Sequence, residues 1–307
     1  MTVTDDGGSS GRLRRDLDIL PPGDIRNCLV ALSEDEALLS RLFQYRFSTG
    51  RGLKGHSFGN LFLAALTDLM GDFPAAVKMS SEVLAIAGRI YPSTAANVTL
   101  QAILDDGSVV SGESRISKSR ARIERIRMEP AACEPVRETL DAIAEADLIT
   151  LGPGSLFTSV IPNLLVEGIP DAIMRSNAVR AYFCNLMWQP GETTGFNASD
   201  HVRSLLDHAG HPLLDCVVVN TGKIHAPLLR KYARERARPV VNDLEALQAL
   251  GVEVVEADLA CESGVVRHDS DRIAAIAVQI AANSRSSKRV RNQRMKASPA
   301  ELKSRAS

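Results

Sequence analysis

The chain has 307 residues, 45% of them hydrophobic and 24% charged, with a formal net charge of −1. That length and apolar content suit one large α/β domain or two smaller ones and exclude wholesale disorder. The near-zero charge gives the molecule as a whole no electrostatic pull toward nucleic acid or a membrane surface.

Residues 1–4 read as the tail of a strand that runs into a glycine loop, Asp5-Asp6-Gly7-Gly8-Ser9-Ser10-Gly11. Loops of this kind follow strands in parallel sheets. Ser33 and Glu36 have capping-box spacing for a helix over residues 34–47, with Leu38, Leu39, Leu42 and Phe43 on one face. A loop holding Gly50, Gly52 and Gly55 leads to a second helix over 57–70, apolar nearly all round and therefore expected to be buried. A third helix is predicted over 73–84.

The texture then changes. Val98, Leu100, Ala102 and Leu104 alternate with other residues, Asp105-Asp106-Gly107 turns the chain, and Val109 and Val110 resume the pattern, a hairpin signal. Residues 122–128 read as a further strand, so 86–130 is predicted to be a small antiparallel, β-rich insertion. From Val136 onward strands (148–151, 180–184, 216–219, 252–255) alternate with helices (137–145, 161–175, 201–208, 227–236, 245–250, 272–282). That alternation implies a mostly parallel sheet with helices on both faces, in one domain spanning residues 1–283. Residues 284–307 are basic and nearly without apolar side chains, the composition of a solvated, disordered tail.

Five cysteines are scattered with no C-x-x-C pair, which disfavours zinc and fits reduced thiols. No apolar run approaches the ~20 residues of a spanning helix, and the polar N-terminus lacks a signal-peptide pattern. The expectation is a soluble, cytoplasmic protein.

Four stretches have the make-up of anion-handling loops. In the first, Gly7 and Gly8 let backbone amides approach an anion, Ser9 and Ser10 add hydroxyls, and Asp5 and Asp6 suit a divalent metal or a ribose. In Pro21-Pro22-Gly23-Asp24-Ile25-Arg26-Asn27, Asp24 reads equally as a helix cap, and Arg26, beside Asn27, as a phosphate clamp. In Gly55-His56-Ser57-Phe58-Gly59-Asn60, a helix start supplies amides, with His56 either a structural group or a proton carrier. In Gly152-Pro153-Gly154-Ser155, the loop follows a buried strand and precedes a helix, where ligands bind in open α/β sheets. Asn185 and Asn220, each just past a strand, fall at the same sheet edge and read either as turn residues or as readers of a base or sugar hydroxyl. No G-x-G-x-x-G, P-loop, G-x-S-x-G or H-E-x-x-H pattern occurs, which argues against an ordinary dehydrogenase, ATPase, esterase or zinc protease.

The segments TDDGGSSGRLR (4–14), LPPGDIRNCLVALS (20–33), GHSFGNLFLAAL (55–66), LGPGSLFTSVIPNLLV (151–166), CNLMWQPGETTGFNASDH (184–201) and VVRHD (265–269) together resemble the bacterial gluconeogenesis factors, which are related to 2-phospho-L-lactate transferase. The similarity runs from Thr4 to about residue 280. It implies a Rossmann-like fold with a nucleotide cleft at the strand ends, binding of UDP-N-acetylglucosamine or another UDP-sugar, and a regulatory role in cell shape and wall synthesis on gluconeogenic carbon. Tyr232 and Arg267 match the residues linked to UDP-sugar binding in that branch, with Gly7, Gly8, Gly154 and Ser155 expected to converge on the diphosphate. It further implies an unidentified protein partner and a homo-oligomer as one arrangement. No cofactor is required, although Asp6 would hold Mg²⁺ if the chain were instead a transferase. Relatives carry a first strand and glycine loop ahead of TDDGGSSG, so the expectation is a sheet short of that strand and that loop.

Overall fold

The computed structural model describes residues 1–33, 38–119 and 121–296, with side chains described up to residue 284. The N-terminal third is helical: α1 (Gly8–Leu17), α2 (Gly23–Leu32), α3 (Leu38–Gln44), α4 (Phe58–Met70) and α5 (Phe73–Val83). Ile25, Leu29, Phe43, Leu63, Phe73 and Val77 from these helices close one core, which also takes in Val3. The predicted glycine loop is therefore largely helix. Tertiary packing overrides the poor helix propensity of glycine here, because small residues let α1 press onto the start of α4. Ser9, Ser10 and Gly11 are buried, and Ser10 Oγ accepts from Asn60 Nδ2 at 3.1 Å. Residues 1–4 form no strand. They are tied instead to residues 91–93, where Ser93 N–H donates to Met1 O. The expectation of an all-round buried second helix also fails: α4 buries one face, and Leu69 is 78% exposed. Glu36, the second half of the expected capping box, lies outside the described residues.

The middle of the chain forms an antiparallel sheet of β1 (Thr99–Leu104), β2 (Val109–Ser111) and β3 (Ile123–Glu129) in the order β2-β1-β3. A one-turn helix, α6 (Glu113–Ile116), lies between β2 and β3. The buried alternation of β1 puts Leu100, Ala102 and Leu104 into the main core.

The remainder is α/β: α7 (Arg137–Glu145), β4 (Leu148–Leu151), a π-helical turn (Leu156–Val160), α8 (Ile161–Leu164), α9 (Ile169–Arg175), β5 (Val179–Phe183), α10 (Ala198–Ala209), β6 (Cys216–Asn220), α11 (Ala226–Arg234), α12 (Leu244–Ala249) and β7 (Glu253–Ala257). The hairpin β8 (Ala260–Glu262) and β9 (Val266–His268) and helix α13 (Ser270–Lys296) complete it. Strands β4-β5-β6-β7 make one parallel sheet. Side chains alternate across it with the two-residue period of a strand. Val217 and Val219 enter the core shared with α10, α12 and the antiparallel sheet, while Val218 packs on the opposite face against residues of α13. Both faces of the sheet are thus covered, as a parallel sheet requires.

The single helix expected over 161–175 is broken into two pieces, with Pro162 and Pro170 each near the start of one. The helix expected to end at residue 282 continues to Lys296, into the stretch read as a tail; residues 297–307 lie outside the described residues. All five cysteines are unpaired. Among the described residues no single helix is long and apolar enough to cross a membrane.

Candidate functional site

Two groups of polar residues stand out, joined by α6. The first lines a cleft of about 730 Å³ at the carboxyl ends of β4 and β5, the edge at which open α/β sheets take ligands. Its floor is the turn after β4. Gly152 has φ +72° there, and a Cβ would meet Phe183 O at 3.1 Å, so only glycine fits. Gly154 and Ser155 follow in the cleft wall, facing Asn185 and Gln189 from the loop after β5, Tyr232 from α11, and Arg267 and His268 from β9.

Directed hydrogen bonds set this wall. Tyr182 O–H donates to Asn185 Oδ1 at 3.2 Å, Asn185 Nδ2 to Gln189 Oε1 at 3.0 Å, and Gln189 Nε2 to Ser155 Oγ at 2.7 Å. The sequence of donors leaves the Ser155 proton to be offered to a ligand. Next to it, Glu192 is 6% exposed. Its carboxylate accepts from Phe157 N–H at 3.3 Å, from the Thr158 hydroxyl at 3.1 Å and from the Ser117 hydroxyl at 3.3 Å. Burial pushes its pKa up, partly offset by these bonds. An internal carboxylate therefore takes an amide just beyond Gly152-Pro153-Gly154-Ser155 that would otherwise suit a phosphate.

The β8–β9 hairpin carrying Arg267 is fastened to α11. Tyr232 Oη accepts from Val266 N–H at 3.0 Å, Glu262 accepts from both the backbone and Nδ1 of His225 at 2.7 and 2.8 Å, and Lys231 donates to Gly264 O at 2.9 Å. Tyr232 is thus more than a surface aromatic, since it holds the strand that presents the exposed Arg267. His268 Nε2 donates to Cys184 O at 3.1 Å, and burial lowers its pKa, leaving the ring neutral near pH 7. Asn220 proves to be a turn residue: its side chain bonds Gly222 N–H, Gly222 O and Leu259 N–H.

The second group gathers at α1, α2 and the start of α4. Asp5 accepts from Gly7 N–H at 2.8 Å. Ser9 Oγ accepts from Ser57 N–H at 3.2 Å and so directs its own proton to His56 Nδ1 at 3.1 Å. His56 is kept neutral by burial and by Arg12, a structural acceptor in this arrangement. Arg26 donates to Ser57 Oγ at 2.9 Å and to Asn27 Oδ1 at 2.6 Å. Among the described residues, Arg26 Nε and Asn60 Oδ1 are buried without a partner, a pattern that calls for water or ligand. Carboxyls crowd here: burial and Asp5 raise the pKa of Asp24 to about 6, and burial, Asp24 and Asp5 raise that of Glu113 to about 8. Asp24, read from sequence as a helix cap, makes no side-chain cap on α2. Among the described residues no three His, Cys, Asp or Glu side chains surround a common metal position.

α6 is the shared wall. Asp6 Oδ1 accepts from Ser114 N–H at 2.9 Å at its start, and Ser117 just past its end reaches Glu192. Gly112 opens this turn at φ +95°, with the Asp6 carboxylate lying where a Cβ would be. Of the residues picked from sequence, Gly154, Ser155, Asn185, Tyr232 and Arg267 share the cleft, and Gly152 opens the turn that leads into it. Asp6, Gly7, Gly8, Ser9, Ser10, Arg26, Asn27, His56 and Asn60 belong to the α1 group. Gly154 and Ser155 line the cleft, whereas Gly7 and Gly8 stand at the start of α1. Sequence reading missed Glu192, Gln189 and Glu113. Only the glycine ahead of Glu113 hinted at an unusual turn.

Comparison with known proteins gives a consistent picture. The model of the family described as 2-phospho-L-lactate transferase CofD matches residues 1–260. A Bacillus subtilis protein named gluconeogenesis factor is 48% identical over 281 residues, 91% of this chain and 89% of its own length. Its namesake from Halalkalibacterium halodurans is also 48% identical, over 89% of this chain and 85% of its own. A crystal structure of a Bacillus halodurans protein superposes with a TM-score of 0.88 at 47% identity, covering 90% of this chain and 89% of that one. A second crystal structure from that organism, described as a member of the UPF0052 family, gives the same TM-score and identity.

Proposed function

The chain belongs to the 2-phospho-L-lactate transferase CofD family, with relatives named gluconeogenesis factor, and from that premise we propose that it binds a UDP-sugar such as UDP-N-acetylglucosamine and acts as a regulator. The observation that carries this reading is the cleft itself, where Gly154, Ser155, Asn185, Tyr232 and Arg267 meet around one cavity of nucleotide-sugar scale. Ser155 offers a hydroxyl proton, Asn185 an amide edge, Arg267 a charge for a phosphate oxygen, and Tyr232 the scaffold that holds Arg267. On this reading the protein works in the cytoplasm, alone or as a homo-oligomer, and passes the state of the cleft to a protein partner in cell-wall synthesis.

A second reading, an Mg²⁺-dependent phospholactate-type transferase, draws support from the crowded carboxyls Asp5, Asp6, Asp24 and Glu113. Asp6 would hold the ion, and substrate phosphate oxygens would complete its ligands. When bound, Mg²⁺ would neutralise charge developing on a transferred phosphoryl group.

Titration calorimetry with UDP-N-acetylglucosamine separates the readings. Saturable binding is expected for the native chain, and Arg267→Ala should weaken it by about 10–100-fold, the range for losing a charge-assisted hydrogen bond. The absence of heat at millimolar ligand defeats the regulatory reading. Formation of a phosphodiester from a nucleotide-activated donor, the deazaflavin acceptor and Mg²⁺ would establish the transferase instead.

A further inference from the structure

A second cavity, of about 480 Å³, shares no lining residue with the cleft. We propose that it is a separate binding site for a phosphate-bearing ligand, held by Arg14, Arg15 and Arg115. Arg14 and Arg15 come from the last turn of α1 and Arg115 from α6.

The fold gathers these three side chains through two ties. Arg14 Nη2 donates to Val98 O at 2.8 Å and to Thr99 Oγ1 at 3.1 Å, which pins α1 to the start of β1. Asp6 accepts from Ser114 N–H, which pins α6 to the start of α1. The wall then holds three guanidinium groups against one carboxylate, that of Asp6, and this carboxylate already accepts the Ser114 amide. Among the described residues neither Arg15 nor Arg115 has an ion-pair partner. Arg14 is half-buried, and burial lowers its pKa, so its charge gains from an anion nearby.

A cation-rich recess with fork-shaped donors matches the geometry of phosphate oxygens. The hydroxyls of Ser111 and Ser114 add neutral donors to the same wall. The volume exceeds that of a lone phosphate and leaves room for an attached organic group or a second phosphoryl. The alternative occupant of such a surface is solvent alone, with the arginines serving only solubility, and the experiment distinguishes the two.

Pyrophosphate, titrated calorimetrically into the full chain in phosphate-free buffer, is the probe. Binding should be saturable, should persist in the presence of saturating UDP-N-acetylglucosamine, and should weaken at least about tenfold in Arg15→Ala/Arg115→Ala. These two side chains are exposed, so the variant should keep its fold and bind the UDP-sugar as the parent does. Absence of saturable heat with the native chain overturns the proposal. So does pyrophosphate binding that survives the double substitution and disappears in Arg267→Ala, since the anion would then be occupying the cleft. Failure of UDP-sugar binding alone, with pyrophosphate still bound through Arg15 and Arg115, would defeat the regulatory reading and leave this site standing.

Discussion

Glu113→Gln should be more stable than the parent at pH 9, with an advantage that fades as the solution is acidified toward pH 4. Burial, with Asp24 and Asp5 close by, lifts the Glu113 pKa from 4.5 to about 8. A carboxyl whose folded pKa is raised keeps a proton that the unfolded chain has released. Between about pH 4.5 and 8 the folded state is therefore the more protonated one, and stability falls as pH rises through that window. The penalty is complete above pH 8 and absent below the unfolded pKa. One pKa unit corresponds to about 1.4 kcal/mol, and solvent screening at the partly open site reduces the total, so the gain from a neutral amide is on the order of 2–4 kcal/mol. Urea unfolding from pH 4 to 9 measures it. Parallel stability profiles for parent and variant would show that Glu113 is not the group responsible. Asp24, raised to about 6 by burial and by Asp5, acts in the same direction over a lower and narrower window, and Asp24→Asn would isolate it.

The second large effect is expected at Glu192. Its carboxylate takes the Phe157 amide and the Thr158 and Ser117 hydroxyls while almost fully enclosed. Glu192→Ala leaves a buried amide and two hydroxyls without their acceptor and opens a void beside the π-helical turn. Leaving such groups unmet costs about 1–3 kcal/mol each when water cannot reach them, and partial relaxation brings the expected total loss to about 2–4 kcal/mol. Glu192→Gln, which retains one carbonyl oxygen, should recover most of it. Denaturant midpoints of the three proteins test this. An alanine variant as stable as the parent would mean that water replaces the carboxylate without cost. The same substitution should loosen α6 from the cleft, because Ser117 would lose its acceptor there.

Both effects depend on residues that the sequence did not single out, and the reason is physical. The parallel strands were legible because burial on two faces demands unbroken apolar runs. Leu148–Leu151 was placed at its observed ends, and Cys216–Asn220 within one residue. The fastening carboxylates gave no such signal. Glu192 sits in a Gln-Pro-Gly-Glu stretch that looks like a turn, and it meets Phe157 only because the chain returns across 35 residues. Glu113 lies on a one-turn helix inside what reads as a β insertion, and its partners Thr4, Asp5 and Asp24 are about 90 to 110 residues earlier. The helix at Gly8–Leu17 was hidden for the opposite reason: local composition argued for a loop, and only the docking of Ser9 and Ser10 on α4 decides otherwise. Tyr232 and Arg267 were found through family resemblance: the helix carrying Tyr232 was legible over 227–236, but nothing local marked its hydroxyl as a partner, and the three-residue strands β8 and β9 carry no strong pattern.

The register of the β8–β9 hairpin has a practical result. Cys261 stands directly opposite Arg267, and directly opposed residues in an antiparallel pair have Cβ atoms about 5 Å apart. Cys261 is the exposed thiol, whereas Cys133, Cys184 and Cys216 are buried and Cys28 is half-buried. The chain thus comes with its own attachment point for a dye or spin label one strand away from the arginine, and a maleimide reagent should reach it first without any engineered cysteine. The speed of that alkylation, followed with and without a nucleotide sugar, turns the hairpin into a built-in gauge of whether the neighbouring cleft is filled.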